Sequence, residues 1–301
     1  MNIIVILNGV SKKKKKFYQS ILPVLQQKFS IQVLETQYAN HARQLASEAV
    51  LNKAAVILSA GGDGTLNQVL NGMMSVANEC RLPSLGLIPL GSGNDFANSA
   101  NLTLDPNDLL ELLTKNQPLQ TDIGKVFCRN GNKEEVVHYF INVCSVGMGP
   151  ATVQRMEKSP PWMGAELKYL ISIIQTFFTH KPEVIEVHTP DWNWKGNARV
   201  VAIANGRSFG NKIYIAPDAS LEDGVFSTFI AGNVPLLKFL LYLQQLKGKK
   251  KITDDQISNS NTTKVEVRSG NSAMLETEGE LIGFLPASIE VMPGQIGFFR
   301  K

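Results

Sequence analysis

The sequence predicts an α/β plus β protein: a doubly wound, Rossmann-like α/β domain over residues 1–122, then a mainly antiparallel β-sandwich with helices over 123–301. Three observations carry this. Short apolar runs alternate with helical patterns through the first 120 or so residues. Two glycine-rich loops each follow directly on one of those runs. After Asp122-Ile123-Gly124-Lys125 the texture changes to alternating β-like stretches separated by turn residues. A chain of 301 residues, 44% hydrophobic and 19% charged, is long enough to bury two cores.

The runs at 3–7, 31–34, 55–59 and 85–88 are short and apolar throughout, as parallel strands covered on both faces require. Helical patterns lie between them at roughly 17–28, 40–52 and 65–78, with another near 106–116 opened by Asp105-Pro106. The first strand ends in Asn8-Gly9, with Ser11 and a run of five lysines, Lys12 to Lys16, just beyond. Thr36 follows the second strand and reaches the same rim.

The third run leads into Ala60-Gly61-Gly62-Asp63-Gly64-Thr65-Leu66-Asn67. Glycines here accept backbone conformations closed to other residues and let a polyphosphate approach the main chain. The amides opening the next helix face an anion with a favourable dipole. A carboxylate in such a loop points to a bound Mg²⁺ or a hydroxyl to be oriented. The plainer alternative is a tight turn with Asp63 as a helix cap. The fourth run leads into Pro89-Leu90-Gly91-Ser92-Gly93-Asn94-Asp95-Phe96-Ala97, a second loop of the same kind. Neither has the Lys-Ser/Thr ending of a P-loop, and neither fits Gly-x-Gly-x-x-Gly. Side by side on one rim of a sheet, the pair favours phosphate handling.

In the second half the β-like stretches are 139–143, 184–188, 199–204, 263–267 and 288–291, interrupted by helical patterns near 164–179 and 234–246. The polar segment 254–263 reads as a loop, and no internal repeat is evident. Glu278-Gly279-Glu280 places two acids at period two, on one face if the chain is extended. Such a pair can hold Mg²⁺ or accept a hydroxyl proton; the alternative is a hairpin turn with solvated acids. Ser220-Leu221-Glu222-Asp223-Gly224-Val225 alone reads as an acidic β-turn.

The net charge of +4 does not demand nucleic acid. The excess gathers in Lys12 to Lys16 and around Lys247 to Lys251. Such runs read first as solvated loops, with nucleotide phosphates or an anionic membrane as other partners. Cys80, Cys128 and Cys144 are too few and too scattered for a disulfide framework or a zinc site, which suits a reducing cytosol. The four histidines show no metal spacing and read as structural. The N-terminus lacks the organisation of a signal peptide, and no apolar stretch reaches the ~18 residues of a membrane span. Leu236 to Leu246 reads first as a packed helix whose surplus leucines cover the sandwich. A second reading lets it, with Trp162-Met163 after Pro160-Pro161, touch a membrane surface.

Taken in order, these motifs resemble the diacylglycerol kinase catalytic-domain family, in particular its soluble bacterial lipid-kinase branch. The likeness runs nearly the whole length. It rests on Gly61-Gly62-Asp63-Gly64-Thr65-Leu66-Asn67, Leu90 to Ala97, Asp122-Ile123-Gly124, Phe140-Ile141-Asn142, Asn205-Gly206, Tyr214 to Ala219 with Glu222-Asp223-Gly224, and Glu278-Gly279-Glu280. The first motif is shared with NAD kinases and 6-phosphofructokinases, while the others are more specific. The resemblance implies an ATP- and Mg²⁺-dependent kinase phosphorylating a hydroxyl of diacylglycerol or a related lipid, with its active site in the interdomain cleft. Asn8, Ser11, Thr36, Gly61 to Asn67, Gly91, Ser92 and Asn94 would then meet the nucleotide. Asp63, Asp95 and Asp122 would organise Mg²⁺ and its waters. Glu280 matches the family's proton acceptor, with Glu278 beside it. Asp223, with the carbonyls of Ser220 and Val225, matches a structural Mg²⁺ site. The expected protein is cytoplasmic, peripheral to the inner membrane face, with no transmembrane segment and no nucleic-acid partner; a homodimer is compatible with it.

Four positions depart from the family pattern. The first loop reads Asn8-Gly9-Val10-Ser11 where Asn-Pro is usual, Ser92 replaces a Thr, and Gln68 stands where an acid is common. Glu278 replaces the Asp of Asp-Gly-Glu, and a carboxylate displaced by about 1 Å can cost on the order of 100-fold in rate. Two other readings stay open: an NAD kinase-like phosphotransferase, and a nucleotide-binding regulator with weak or no turnover.

Overall fold

The structure, a computed structural model, describes residues 2–159 and 164–301. The Trp162-Met163 pair therefore lies outside the described residues. The chain forms two compact units, Met1–Asp122 with Gly294–Lys301, and Ile123–Pro293.

The first unit opens β1 (Ile3–Leu7), a helical turn α1 (Lys14–Lys16), a π-helical segment (Phe17–Ile21), α2 (Leu22–Gln26), β2 (Ile31–Glu35), α3 (His41–Leu51), β3 (Val56–Gly61), α4 (Asp63–Ser75), β4 (Ser84–Pro89), α5 (Asp95–Ser99) and α6 (Pro106–Lys115). Its four strands are parallel in the order β4-β3-β1-β2, with registers such as Leu7↔Ala60 and Gly61↔Pro89. The carboxyl ends therefore share one rim. β1 and β3 are buried along their whole length, as runs of Ile, Val and Leu covered on both faces must be. Helical structure begins inside the lysine run, earlier than the apolar period alone indicates. Phe17, Ile21, Leu22 and Leu25 pack with Ile3, Val5, Leu58 and Ile88. The final residues complete the sheet: Phe298 pairs in parallel with Leu85 of β4, and Arg300 Nε donates to Thr121 Oγ1 at 2.9 Å.

β5 (Leu119–Arg129) leads out of this unit. Then follow β6 (Glu135–Phe140), β7 (Val143–Gly147), α7 (Met148–Glu157), α8 (Ala165–Thr179), β8 (Glu183–His188), β9 (Asn193–Ala198), β10 (Val200–Ala204), β11 (Phe226–Ala231), α9 (Leu236–Lys247), β12 (Ile257–Thr262), β13 (Lys264–Ser269), β14 (Met274–Thr277) and β15 (Glu280–Phe298). The pairings within Ile123–Pro293 are antiparallel: β12-β11-β10-β7-β14 runs on to the start of β15, and β9-β8-β13 runs to its middle. Period two sorts the side chains. Val201 and Ile203 of β10 enter a core with Phe226, Leu275, Val265 and Ile289, while Ala202 and Ala204 turn to the other face beneath Ile173 and Phe177 of α8 and Leu246 of α9.

Three expectations are corrected. The run at 139–143 is two strands broken at Ile141-Asn142. The polar stretch within 254–263 carries a strand, because Ser258 to Asn261 lie in β12, an edge strand whose one face meets solvent and which pairs with β11. Glu278 and Gly279 are not extended. Their φ values of 49° and 83° make a tight turn between β14 and β15, so period two does not apply there. α7 had no clear sequence signal.

Candidate active site

Two arrangements matter, one in each unit. At the rim of the parallel sheet, the loops after β1, β3 and β4 are stitched together. Asn8 Nδ2 donates to Thr65 Oγ1 at 3.1 Å, and the Gly9 amide to Thr36 Oγ1 at 3.0 Å. The amides of Leu90 and Gly91 both donate to the Gly61 carbonyl, at 2.8 and 3.1 Å. Glycines make this contact feasible: a Cβ on Gly91 would stand 2.4 Å from Gly62 Cα, and one on Gly61 would stand 2.4 Å from Thr65 Oγ1. Lys13 Nζ donates to the Gly91 carbonyl at 2.9 Å, and Lys14 pairs with Glu35. The lysine run is thus divided, with Lys13 and Lys14 fixed and Lys12, Lys15 and Lys16 exposed.

Asp63 locks the two loops. Its Oδ2 accepts the Asp95 amide and its Oδ1 the Phe96 amide, each at 3.0 Å, so it caps α5 of the second loop, besides holding its own amide at the start of α4. Burial, and next the charge of Asp95, push its carboxyl up to about 6, against the opposing pull of those amides. The position a Cβ would take on Gly93 lies 3.5 Å from Asp95 Oδ2 and 3.6 Å from Asp63 Oδ2, so two carboxylate oxygens converge on the space beside that glycine. A cation there would relieve their repulsion. Among the described residues no group of three or more His, Cys, Asp or Glu is placed to hold a metal. The pair suits Mg²⁺ carried on a nucleotide, an ion commonly bound through one or two carboxylates plus phosphate oxygens. Gly62 is the N-cap of α4 and offers no side chain to its opening turn, which lies at the rim end of β3.

Other predicted residues divide. Ser92 is exposed; Ser11 is half-buried, with Oγ accepting the Lys13 amide at 3.3 Å. Asn94 adopts φ 55° and donates to the Gly91 carbonyl at 3.0 Å, shaping the loop. Leu66 faces inward. It is fully buried and its amide donates to the Gly62 carbonyl, so helix periodicity spends it on the core. Asn67 is buried too, with Oδ1 accepting from Asn71 Nδ2 at 3.2 Å. Asp122 is buried and accepts the Gly294 amide at 2.7 Å, which ties β5 to the returning C-terminal strand.

In the second unit the turn between β14 and β15 gathers three glutamates. Glu278 Oε1 accepts the amides of Ile141, Asn142 and Val143 at 3.1, 2.7 and 3.2 Å, a nest at the break between β6 and β7. Asn205 Nδ2 donates to the Ile141 carbonyl at 2.8 Å, and Asn142 Nδ2 to the Ser208 carbonyl at 2.9 Å, holding that break rigid. Glu280 opens β15. Its carboxyl is raised above the usual range by partial loss of solvent and then by Glu157. Glu276, buried on β14, accepts from Ser145 Oγ and, at 2.8 Å, from the Gly279 amide. Burial pushes it up to about 7. Asp223 is exposed and its Oδ1 accepts the Val225 amide at 3.2 Å, closing the turn that includes Ser220.

Sequence reasoning took Lys13 only as one of a basic run, missed Ser145 and Glu276, and assigned no task to Asn142 and Asn205. An acid two residues before Glu278 on an apolar strand was the available signal for Glu276. Nothing local marks Ser145.

Two family profiles cover the chain. That of the diacylglycerol kinase catalytic domain matches residues 2–126, and that of the YegS C-terminal NAD kinase beta sandwich-like domain matches residues 142–300. A Yersinia pestis (strain Pestoides F) protein named "Probable lipid kinase YegS-like" is 27% identical over 294 residues, 97% of this chain and 95% of that one. A solved Bacillus anthracis str. Sterne structure, described as a diacylglycerol kinase, aligns with TM-score 0.75 at 20% identity, covering 100% of this chain and 97% of the other. A second from the same organism reaches 0.79 at 19%, with the same coverage. The solved structures support the shared fold: an N-terminal α/β domain and a C-terminal β-sandwich.

Proposed function

The chain belongs to the diacylglycerol kinase catalytic-domain family, in its bacterial lipid-kinase branch, and from that premise we propose that it is an ATP- and Mg²⁺-dependent lipid kinase, transferring the γ-phosphate to a hydroxyl of diacylglycerol or a related lipid. The observation that carries this reading is the pair of glycine-rich loops locked through Asp63, with two carboxylate oxygens converging beside Gly93. Phosphoryl transfer needs positioning and charge neutralisation above all, and a site of backbone amides with few side chains suits it.

The opening turn of α4 and the close-packed Gly61-Gly62 and Gly91 backbone would hold the polyphosphate, flanked by Asn8, Thr36 and Thr65. Asp63 and Asp95 would hold Mg²⁺, which when bound neutralises charge on the phosphates. Asp122 would keep the β5 end of that site in place. Glu280 would take the proton of the lipid hydroxyl as the hydroxyl oxygen bonds to the γ-phosphorus, the bond from that phosphorus to the β,γ-bridging oxygen breaks and ADP leaves; a raised carboxyl makes Glu280 a stronger base. Glu278, held by three amides, fixes the turn that presents Glu280. Asp223, with the Ser220 and Val225 carbonyls, is the proposed structural Mg²⁺ site. The enzyme would work from the cytoplasm at the inner membrane face.

The test is incubation with γ-labelled ATP, Mg²⁺ and mixed micelles of diacylglycerol, phosphatidylglycerol, monoacylglycerol or ceramide, with NAD in parallel. Label in one lipid is expected, and Glu280→Gln should abolish it while ATP still binds. Label in NAD alone, or normal turnover by Glu280→Gln, overturns the acceptor class or the base. ATP binding with no transfer to any acceptor would favour a regulatory protein.

A further inference from the structure

On α8 and α9 the usual sorting of apolar and polar residues is partly inverted. Along α8, Leu167, Leu170 and Phe178 are exposed, Phe178 to 67%, while Ile174 on the flank packs against the core. The hydroxyl residues Ser172 and Thr176 are buried instead. Along α9, Leu237, Leu240 and Leu241 are exposed, Leu237 to 77%. The inner faces of the two helices meet where the tilted rings of Phe177 and Phe239 touch, centroids 4.8 Å apart. Packing against the sandwich therefore uses one face of each helix and leaves the apolar outer face uncovered. The favoured sequence reading, that the surplus leucines of 236–246 cover the sandwich, is corrected to that extent.

Charge selects the occupant. α9 contains no acidic residue, and Lys247 closes it, followed by Gly248-Lys249-Lys250-Lys251. A helix C-terminus favours a cation in its last turn, but that effect fades within a turn and does not account for the three lysines beyond it. Lys238 pairs with Asp254, Lys251 with Asp218, and Lys249 Nζ lies 4.8 Å from the centre of the Tyr214 ring, whereas among the described residues no carboxylate pairs with Lys247 or Lys250. Exposed leucines beside unneutralised lysines are the composition of an interfacial helix.

We propose that the outer faces of α8 and α9, with the lysines at 247–251, dock the protein on an anionic lipid bilayer. The leucine and phenylalanine side chains enter the interface and the lysines meet the headgroups. This rests on the lipid-kinase reading only for its purpose, since the surface is defined without it.

The test is co-sedimentation of the full chain with vesicles of phosphatidylcholine alone or of equal phosphatidylcholine and phosphatidylglycerol, at low and high salt. Pelleting with the anionic vesicles, weakened by salt, is expected. Leu237→Ser with Leu241→Ser should lower the vesicle partition coefficient by roughly tenfold or more, and Lys247→Gln with Lys250→Gln by about tenfold. Both variants should phosphorylate a short-chain, micelle-dispersed lipid at the parent rate. That assay separates the two readings: loss of pelleting with activity kept supports the surface, while pelleting without any lipid phosphorylation removes the kinase reading alone. Parent-like pelleting by both variants, or no pelleting of the parent, overturns the proposal. So does a parent dimer that light scattering shows dissociating in the leucine variant, since a second copy would then be what covers the face.

Discussion

Glu276→Gln should make the protein more stable in alkaline solution while leaving it unchanged in acid. Glu276 is 3% exposed, and its carboxyl rises from the ordinary 4.5 to about 7 because burial disfavours its charge. Between those values the folded protein holds a proton that the unfolded chain has released, so stability falls with rising pH. The loss begins above the unfolded value and is complete once pH passes the folded one. At about 1.4 kcal/mol per pH unit the interval amounts to roughly 3 kcal/mol, a large share of the roughly 5–15 kcal/mol that holds a domain folded. Glutamine removes the titration and can still satisfy both partners. Its carbonyl accepts the Gly279 amide, and its amide donates to Ser145 Oγ, which a rotating hydroxyl permits.

The assay is urea unfolding of parent and variant at about pH 5 and about pH 8.5, with the difference read at each. Near-equal stability at the acidic pH and a variant ahead by about 2–3 kcal/mol at the alkaline one is expected. Parallel pH profiles for the two proteins would refute the reasoning, since Glu276 would then be ionised when buried or would not titrate in this range.

Two further outcomes follow from the nucleotide rim. Asp63→Asn keeps one acceptor for two amides, and the unmade charge-assisted bond costs about 1.5–3 kcal/mol, offset in part by relief of the repulsion from Asp95. ATP affinity by calorimetry should fall about tenfold or more; unchanged affinity would show that loop locking does not matter to the ligand. Gly61→Ala sets a methyl 2.4 Å from Thr65 Oγ1, the atom that accepts from Asn8, and should destabilise the fold by about 1–3 kcal/mol in thermal melts, whereas a parent-like transition would mean that the turn yields freely.

The parallel half was legible because burial on both faces leaves a simple mark, continuous Ile, Val and Leu runs, and because glycines at strand ends report close backbone contact. Ile3–Leu7 and the Gly61-Gly62 turn are of that kind. What Asp63 does was half legible: its capping chemistry could be read, but not that it caps a helix 32 residues away, which only the strand order β3-β4 brings near. Between the two readings of Glu278-Gly279-Glu280, extended or hairpin turn, periodicity could not choose, because Glu278 sits at φ 49°. The role of Glu276 depends on Ser145, 131 residues distant in sequence and brought beside it by the β7–β14 register. β12 was hidden because an edge strand needs little apolar content.

Gly294–Lys301 belongs with Met1–Asp122, so the second unit is inserted in sequence between two parts of the first. Phe298 and Phe299 are buried there, Phe298 edge-on to Phe96 of the second loop, and Arg300 donates to the Gln120 carbonyl and to Thr121. The strand that closes the first unit is therefore synthesised only after the whole of Ile123–Pro293. Until that moment β4 presents a bare edge and Phe96 lacks its ring partner. Loss of Phe298 would therefore be felt first in the loop between Gly91 and Phe96, on the far side of the inserted unit in sequence.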